Sequence, residues 1–280
     1  MREGRFHTRD GLSLYYRDYG DPRAAKIPIL CLAGLSGNSR SFEDFAERWS
    51  KNRRVVAMDY RGCGRSEYDR HYKNYRFDVN ALDARALLNH LGIREVIIIG
   101  TSLGGMVAME IAHTTKGLLK AVILNDIGPE VTSGARGQVR NYLDIPPDFP
   151  DWLEATTMLR RMRESELPGL DGAQWFKRAR QVFVENEDGR VRFDFDPGIT
   201  REYRERNYSS VSWERFRAMR NIPVMTIRGA LSIILPADTF AKMAAEKPDM
   251  VSVLVPNRGH VPLLDEPECV AAFEAFFARV

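Results

Sequence analysis

One stretch constrains this chain more than any other: Val96-Ile97-Ile98-Ile99-Gly100-Thr101-Ser102-Leu103-Gly104-Gly105-Met106-Val107-Ala108-Met109. The β-branched run predicts a buried strand, the small residues a tight turn, and the apolar text after them a helix. Within the turn, Gly100, Ser102 and Gly104 make the pattern G-x-S-x-G. A serine at the tip of a strand-to-helix turn sits in a crowded backbone, so the residues two before and two after it must be small. Such a turn projects the Ser102 hydroxyl from the carboxyl end of a sheet, beside helical N–H groups that favour negative charge. Glycine and serine also meet in ordinary turns, and it is the flanking strand and helix that give this one a chemical meaning.

The text around the stretch alternates in the same way. Two segments near Gly4 to Thr8 and Leu12 to Asp18, divided by Asp10-Gly11, predict a hairpin. Strands are predicted at Ile27 to Leu32, Arg54 to Met58, Leu118 to Leu124, Val224 to Arg228 and Val251 to Val255. Helices are predicted from Ser39 or Ser41 to Trp49, from Asp78 to Gly92, near Trp213 to Met219, from Pro236 to Glu246 and from Glu268 to Arg279. In the second of these, Val79, Leu82, Ala86, Leu87 and Leu91 are expected to share the apolar face. Strands alternating with helices pair in parallel through right-handed crossovers. Between Val131 and Tyr208 the alternation stops, and helical, aromatic text punctuated by Pro146-Pro147, Pro150 and Pro168 reads as an inserted cap. Its Trp152, Met158, Leu159, Trp175, Phe176, Val182 and Phe183 are expected to roof a pocket.

A serine hydroxyl needs a base within reach. Of five histidines, His7, His71, His90 and His113 occupy strand, loop or helix-end text, whereas His260 follows the last predicted strand in Arg258-Gly259-His260-Val261-Pro262. A loop from that edge of the sheet carries it over Ser102. Acyl transfer also needs donors for the oxyanion, expected from the backbone N–H groups of Leu103 and of Leu35 in Ala33-Gly34-Leu35.

Charge narrows the partners. Lys and Arg number 41 against 38 Asp and Glu, a net +3, in mixed order, which argues against nucleic acid. The densest basic run, Arg160-Arg161-Met162-Arg163, has Glu154, Glu164 and Glu166 around it and reads as a solvated helix face. Cys31, Cys63 and Cys269 imply no disulfide framework, no apolar run has membrane length, and no Cys/His cluster has metal-ligand spacing. A cytoplasmic protein without metal, cofactor or membrane attachment is expected.

At this point the chain resembles the α/β-hydrolases of the esterase, haloperoxidase and C–C hydrolase group. The matching text is Ala33-Gly34-Leu35, Asp59-Tyr60-Arg61-Gly62-Cys63-Gly64-Arg65-Ser66, the nucleophile elbow at Gly100 to Gly105, Leu124-Asn125-Asp126-Ile127-Gly128-Pro129 and Gly259-His260. The resemblance implies a mostly parallel eight-stranded sheet formed by residues 1–130 and 209–280, with a helical cap at 131–208. It also implies Ser102 attack on a small apolar ester or lactone, with His260 as base; a relative cleaving C–C bonds would use the same residues on a ketone. In the family an acid follows the strand represented by Val224 to Arg228, but here the text runs Arg228-Gly229-Ala230-Leu231-Ser232-Ile233-Ile234. Ile233 holds the carboxylate's place and cannot orient an imidazole. Three accounts are open: an aspartate replaced in a variant, with impaired hydrolysis; Asp126, after the neighbouring strand, serving instead; or a silenced protein that only binds ligand. Asp238 and Asp265 are further acids to consider.

Overall fold

In the computed structural model, residues 1–130, 132–143, 148–206 and 212–280 are described. The expected cap limits at Val131 and Tyr208, and the Pro146-Pro147 pair, lie outside the described residues.

The chain opens with β1 (Arg2–His7) and β2 (Ser13–Tyr19), antiparallel across the Asp10-Gly11 turn, followed by β3 (Ile29–Leu32). Next come α1 (Glu43–Trp49), β4 (Val55–Met58), α2 (Phe77–His90), β5 (Val96–Thr101), α3 (Leu103–Thr114) and β6 (Leu119–Asn125). The inserted segment holds α4 (Ser133–Leu143), β7 (Asp148–Phe149), α5 (Trp152–Arg163), α6 (Gly172–Val182), β8 (Phe183–Glu185), β9 (Val191–Phe193) and α7 (Pro197–Glu205). The closing part is α8 (Trp213–Arg217), β10 (Val224–Gly229), α9 (Ala237–Glu246), β11 (Val251–Val255) and α10 (Pro267–Phe277).

Eight strands form one sheet in the order β1-β2-β4-β3-β5-β6-β10-β11, in which only β2 runs against its neighbours. Successive strand residues divide between two cores, as a sheet covered on both faces requires. Ile29, Cys31, Ile97, Ile99 and Ile123 pack with Phe45 of α1 and Phe273 of α10. Leu30, Leu32, Val96, Ile98 and Val122 pack on the other face with α2, α3 and the cap. Chain direction across the sheet reverses beside β3, because β4 lies on one side of it and β5 on the other. A crevice opens there at the carboxyl ends of the strands.

Several local expectations are corrected. Neither Ser39 nor Ser41 caps α1: Asn38 accepts from the Arg40 amide at 3.0 Å, and a single tight turn precedes Glu43. The buried face of α2 is Asn80, Ala81, Asp83, Ala84, Leu87 and Leu88, while Leu82 is exposed. The helix is rotated because Asp83 binds buried Arg61 through both oxygens, at 2.7 and 2.8 Å. The insertion is not purely helical: β7, β9 and β8 form a three-stranded antiparallel sheet that buries Phe149, Phe183 and Phe193. That cap is tied to the core by a bridge between Cys63 and Phe195, with Gly64 N donating to Asp194 O at 2.9 Å and Asp196 N to Gly62 O at 2.7 Å.

Candidate active site

Close packing sets the turn after β5. A Cβ on Gly104 would lie 2.0 Å from Leu32 O, and one on Gly100 would lie 2.4 Å from the Gly104 carbonyl carbon. Only glycine fits either position. Ser102 between them has φ 50° and ψ −113°, a conformation that costs a non-glycine residue about 1–3 kcal/mol. Its amide donates to Asn125 O at 3.0 Å, which fixes the elbow to the end of β6.

His260 and Asp126 arrive from β11 and β6. His260 Nε2 lies 2.9 Å from Ser102 Oγ, and Nδ1 lies 2.7 Å from Asp126 Oδ2. Asp126 is wholly buried. Its Oδ1 accepts from Gly229 N at 3.0 Å, and its Oδ2 also accepts from Ser232 Oγ at 2.5 Å. The carboxylate is thus fully bonded, as burial of a charge demands. Of the acids considered for this nitrogen, Asp126 is the one within hydrogen-bond distance of it. Ile233 is 52% exposed and makes no contact of this kind, while its neighbour Ser232 turns inward to Asp126. Asp238 is in the first turn of α9.

The loop after β3 closes over the serine. A Cβ on Gly34 would stand 3.6 Å from Ser102 Cβ, so the Leu35 amide is carried to the mouth of the elbow. Among the described residues, neither the Leu35 nor the Leu103 N–H donates to another group of the protein. Unpaired backbone donors of this kind are suited to receive an oxyanion.

Above this lies a cavity of about 430 Å³, lined by Ser102, His260, Leu35 and cap residues. Trp175 lines it as expected, with Leu159 and Val182; Trp152 and Met158 do not, nor do Phe176 and Phe183. On α5 the lining residues are Leu159, Met162 and Arg163; Met158 stands at the edge of that stripe, about a hundred degrees from Leu159, whereas Trp152 shares the side of Leu159 but lies two turns back along the helix. Trp152 instead donates to Glu185 at 2.8 Å and packs on Phe176 with ring centres 5.9 Å apart. The basic run is not a uniformly solvated face either. Arg160 pairs with Glu164 at 2.7 Å outside, but Arg163 lines the cavity, donates to the His260 carbonyl and sits 2.6 Å from Glu166. Gly259 N donates to Glu166 O at 2.6 Å, so the cap grips the histidine loop on both sides of the imidazole. Asn125 holds the same loop from below, through Pro262 O at 3.0 Å. Tyr142 lines the cavity too, its phenol pushed up from the usual range by burial.

Arg163, Glu166 and Ser232 escape sequence reading because their roles depend on the docking of distant segments; the only signal is an arginine–glutamate pair three residues apart. Among the described residues, no group of three or more His, Cys, Asp or Glu is placed to hold a metal ion, and no helix is long and apolar enough to cross a membrane.

Comparison with known proteins gives relatives named as hydrolases, esterases and lipases. A 3-hydroxybutyrate-oligomer hydrolase of Cupriavidus necator is 29% identical over 271 residues, spanning 94% of this chain and 92% of its own. An sn-1-specific diacylglycerol lipase of Danio rerio is 24% identical over 93% of this chain and 80% of its own. The crystal structure of an alpha/beta hydrolase from Novosphingobium aromaticivorans superposes with a TM-score of 0.93 at 35% identity, covering 100% of this chain and 98% of that one. A family model of the alpha/beta hydrolase fold matches residues 27–267, and the chain belongs to that family.

Proposed function

We propose that this protein is a serine hydrolase that cleaves carboxylic esters or lactones through an acyl-enzyme on Ser102. The reading is carried by one observation, the unbroken chain of hydroxyl, imidazole and carboxylate at 2.9 and 2.7 Å. Ser102 Oγ attacks the carbonyl carbon while His260 Nε2 takes its proton. Asp126 holds the Nδ1–H tautomer and stabilises the imidazolium. The amides of Leu35 and Leu103 receive the oxyanion, His260 returns the proton to the leaving alcohol, and water repeats the sequence to release the acid. With Asp126 in contact, the chemistry does not call for a carboxylate at position 233. The mainly apolar walls favour a small apolar fragment, and the oligoester hydrolase name among the relatives points the same way.

Treatment with a fluorophosphonate, followed by peptide mass spectrometry, tests the nucleophile. The adduct is expected on Ser102, with ester turnover lost in step with labelling. Turnover that survives complete modification of Ser102 would refute the mechanism.

A further inference from the structure

The serine-hydrolase reading leaves the charge of the substrate open, and the roof of the cavity bears on it. On α6, Trp175, Arg178 and Val182 face the cavity at the three- and four-residue spacing of one helix side. Trp175 and Val182 are what an inward stripe calls for, but Arg178 between them is a guanidinium only 15% exposed. A cation in that position needs a counter-charge. Asp44 supplies it in part, with Oδ2 3.2 Å from Arg178, but its other oxygen is taken by Lys177. One carboxylate thus answers two cations.

The remaining charges of the lining do not make up the difference. Arg163 is matched by Glu166, which is the sole carboxylate among the described lining residues. The other Glu166 oxygen accepts from Gln138, so that side chain is spent. The cavity therefore carries a surplus positive charge at Arg178, in walls whose low polarity strengthens its field. A guanidinium has five N–H donors, and the structure gives Arg178 one bond to Asp44, leaving donors for a second planar anion.

We infer that Arg178 is a substrate-binding residue, and that the preferred ester bears a free carboxylate remote from the scissile bond, held by this guanidinium. This rests on the serine-hydrolase reading for the bond that is cleaved, and adds the ionic group by which the substrate is chosen. A cavity of about 430 Å³ suits a short ester acid.

The test compares mono-p-nitrophenyl glutarate with p-nitrophenyl pentanoate, its uncharged counterpart of similar length. The anionic ester is expected to have the higher kcat/KM, and Arg178→Gln to lower the anionic-to-neutral ratio about tenfold, with Arg178→Lys recovering part of it. An unchanged ratio in an Arg178→Gln protein that melts like the parent overturns the inference, as does the absence of any preference in the parent. Binding is measured separately by calorimetry in the Ser102→Ala background. Tighter binding of the glutarate ester, abolished by Arg178→Gln, supports the subsite even if Ser102 proves not to be the nucleophile; equal binding of both esters overturns it.

Discussion

At the scale of single residues, Asp126 carries the most weight. Its left-handed backbone, φ 56°, turns the chain off β6 so that the carboxylate points under the imidazole, where Gly229 N and Ser232 Oγ are waiting. Replacing it with asparagine offers Nδ1 an amide in place of a charge and permits the wrong tautomer. Asp126→Asn is expected to lower kcat for a p-nitrophenyl ester by about 10³–10⁴-fold with little change in KM. Ile233→Asp, placing a carboxylate on an exposed side chain, is expected to change kcat less than about threefold, because the imidazole already has its acid. Steady-state kinetics on both variants checks the pair. Ser102 and His260 were legible in the sequence because short motifs fix them, G-x-S-x-G in one case and Gly-His after a last strand in the other. The choice of Asp126 over position 233 was not, since it depends on which residue of the loop after β10 turns inward. No local pattern records that Ser232 does so and Ile233 does not.

Elements show the same division between local and distant causes. The central strands are readable because both faces are apolar and the runs are short, and at the edge the alternation of Val251–Val255 coincides with β11. Faces of helices are less so. The α2 stripe is displaced by the bond from Arg61 to Asp83, and where the cap docks decides which turns of α5 reach the cavity, so Met158 and Trp152 were misplaced while Trp175 was not. The small cap sheet was missed because strands of two or three residues leave almost no alternation to read. The elbow joins β5 to α3 under strict steric terms. Gly104→Ala forces a methyl into the Leu32 carbonyl and is expected to destabilise the fold by at least about 2 kcal/mol, measured by denaturant unfolding. A neutral result would mean that the helix start has room which the packing here denies it.

Over the whole molecule, buried ion pairs fasten the loop after β4 that receives the cap. Arg61 is the hub: besides Asp83 it reaches Asp69 at 2.6 Å and the exposed Asp10 at 3.0 Å. The Arg61 hydrogen bond holds the Asp10 carboxyl down at about 2, against an ordinary 3.8. A depressed folded-state value adds stability that is complete above the ordinary value and disappears as pH falls toward 2. Asp10→Asn is therefore expected to flatten the loss of stability with acid between about pH 4 and 2, with melting temperatures across that window as the measure. The alternation of strands and helices made the overall architecture legible, but the attachment of the cap was not, because Cys63 and Phe195 meet only after both parts have folded.

The grip of Arg163 and Glu166 on the loop bearing His260 has a practical side for anyone reshaping this protein. Shaving off the insertion to admit bulkier molecules would also remove the struts that hold the His260 loop. Enlarging the chamber is better attempted by trimming Leu159 or Met162, which line it.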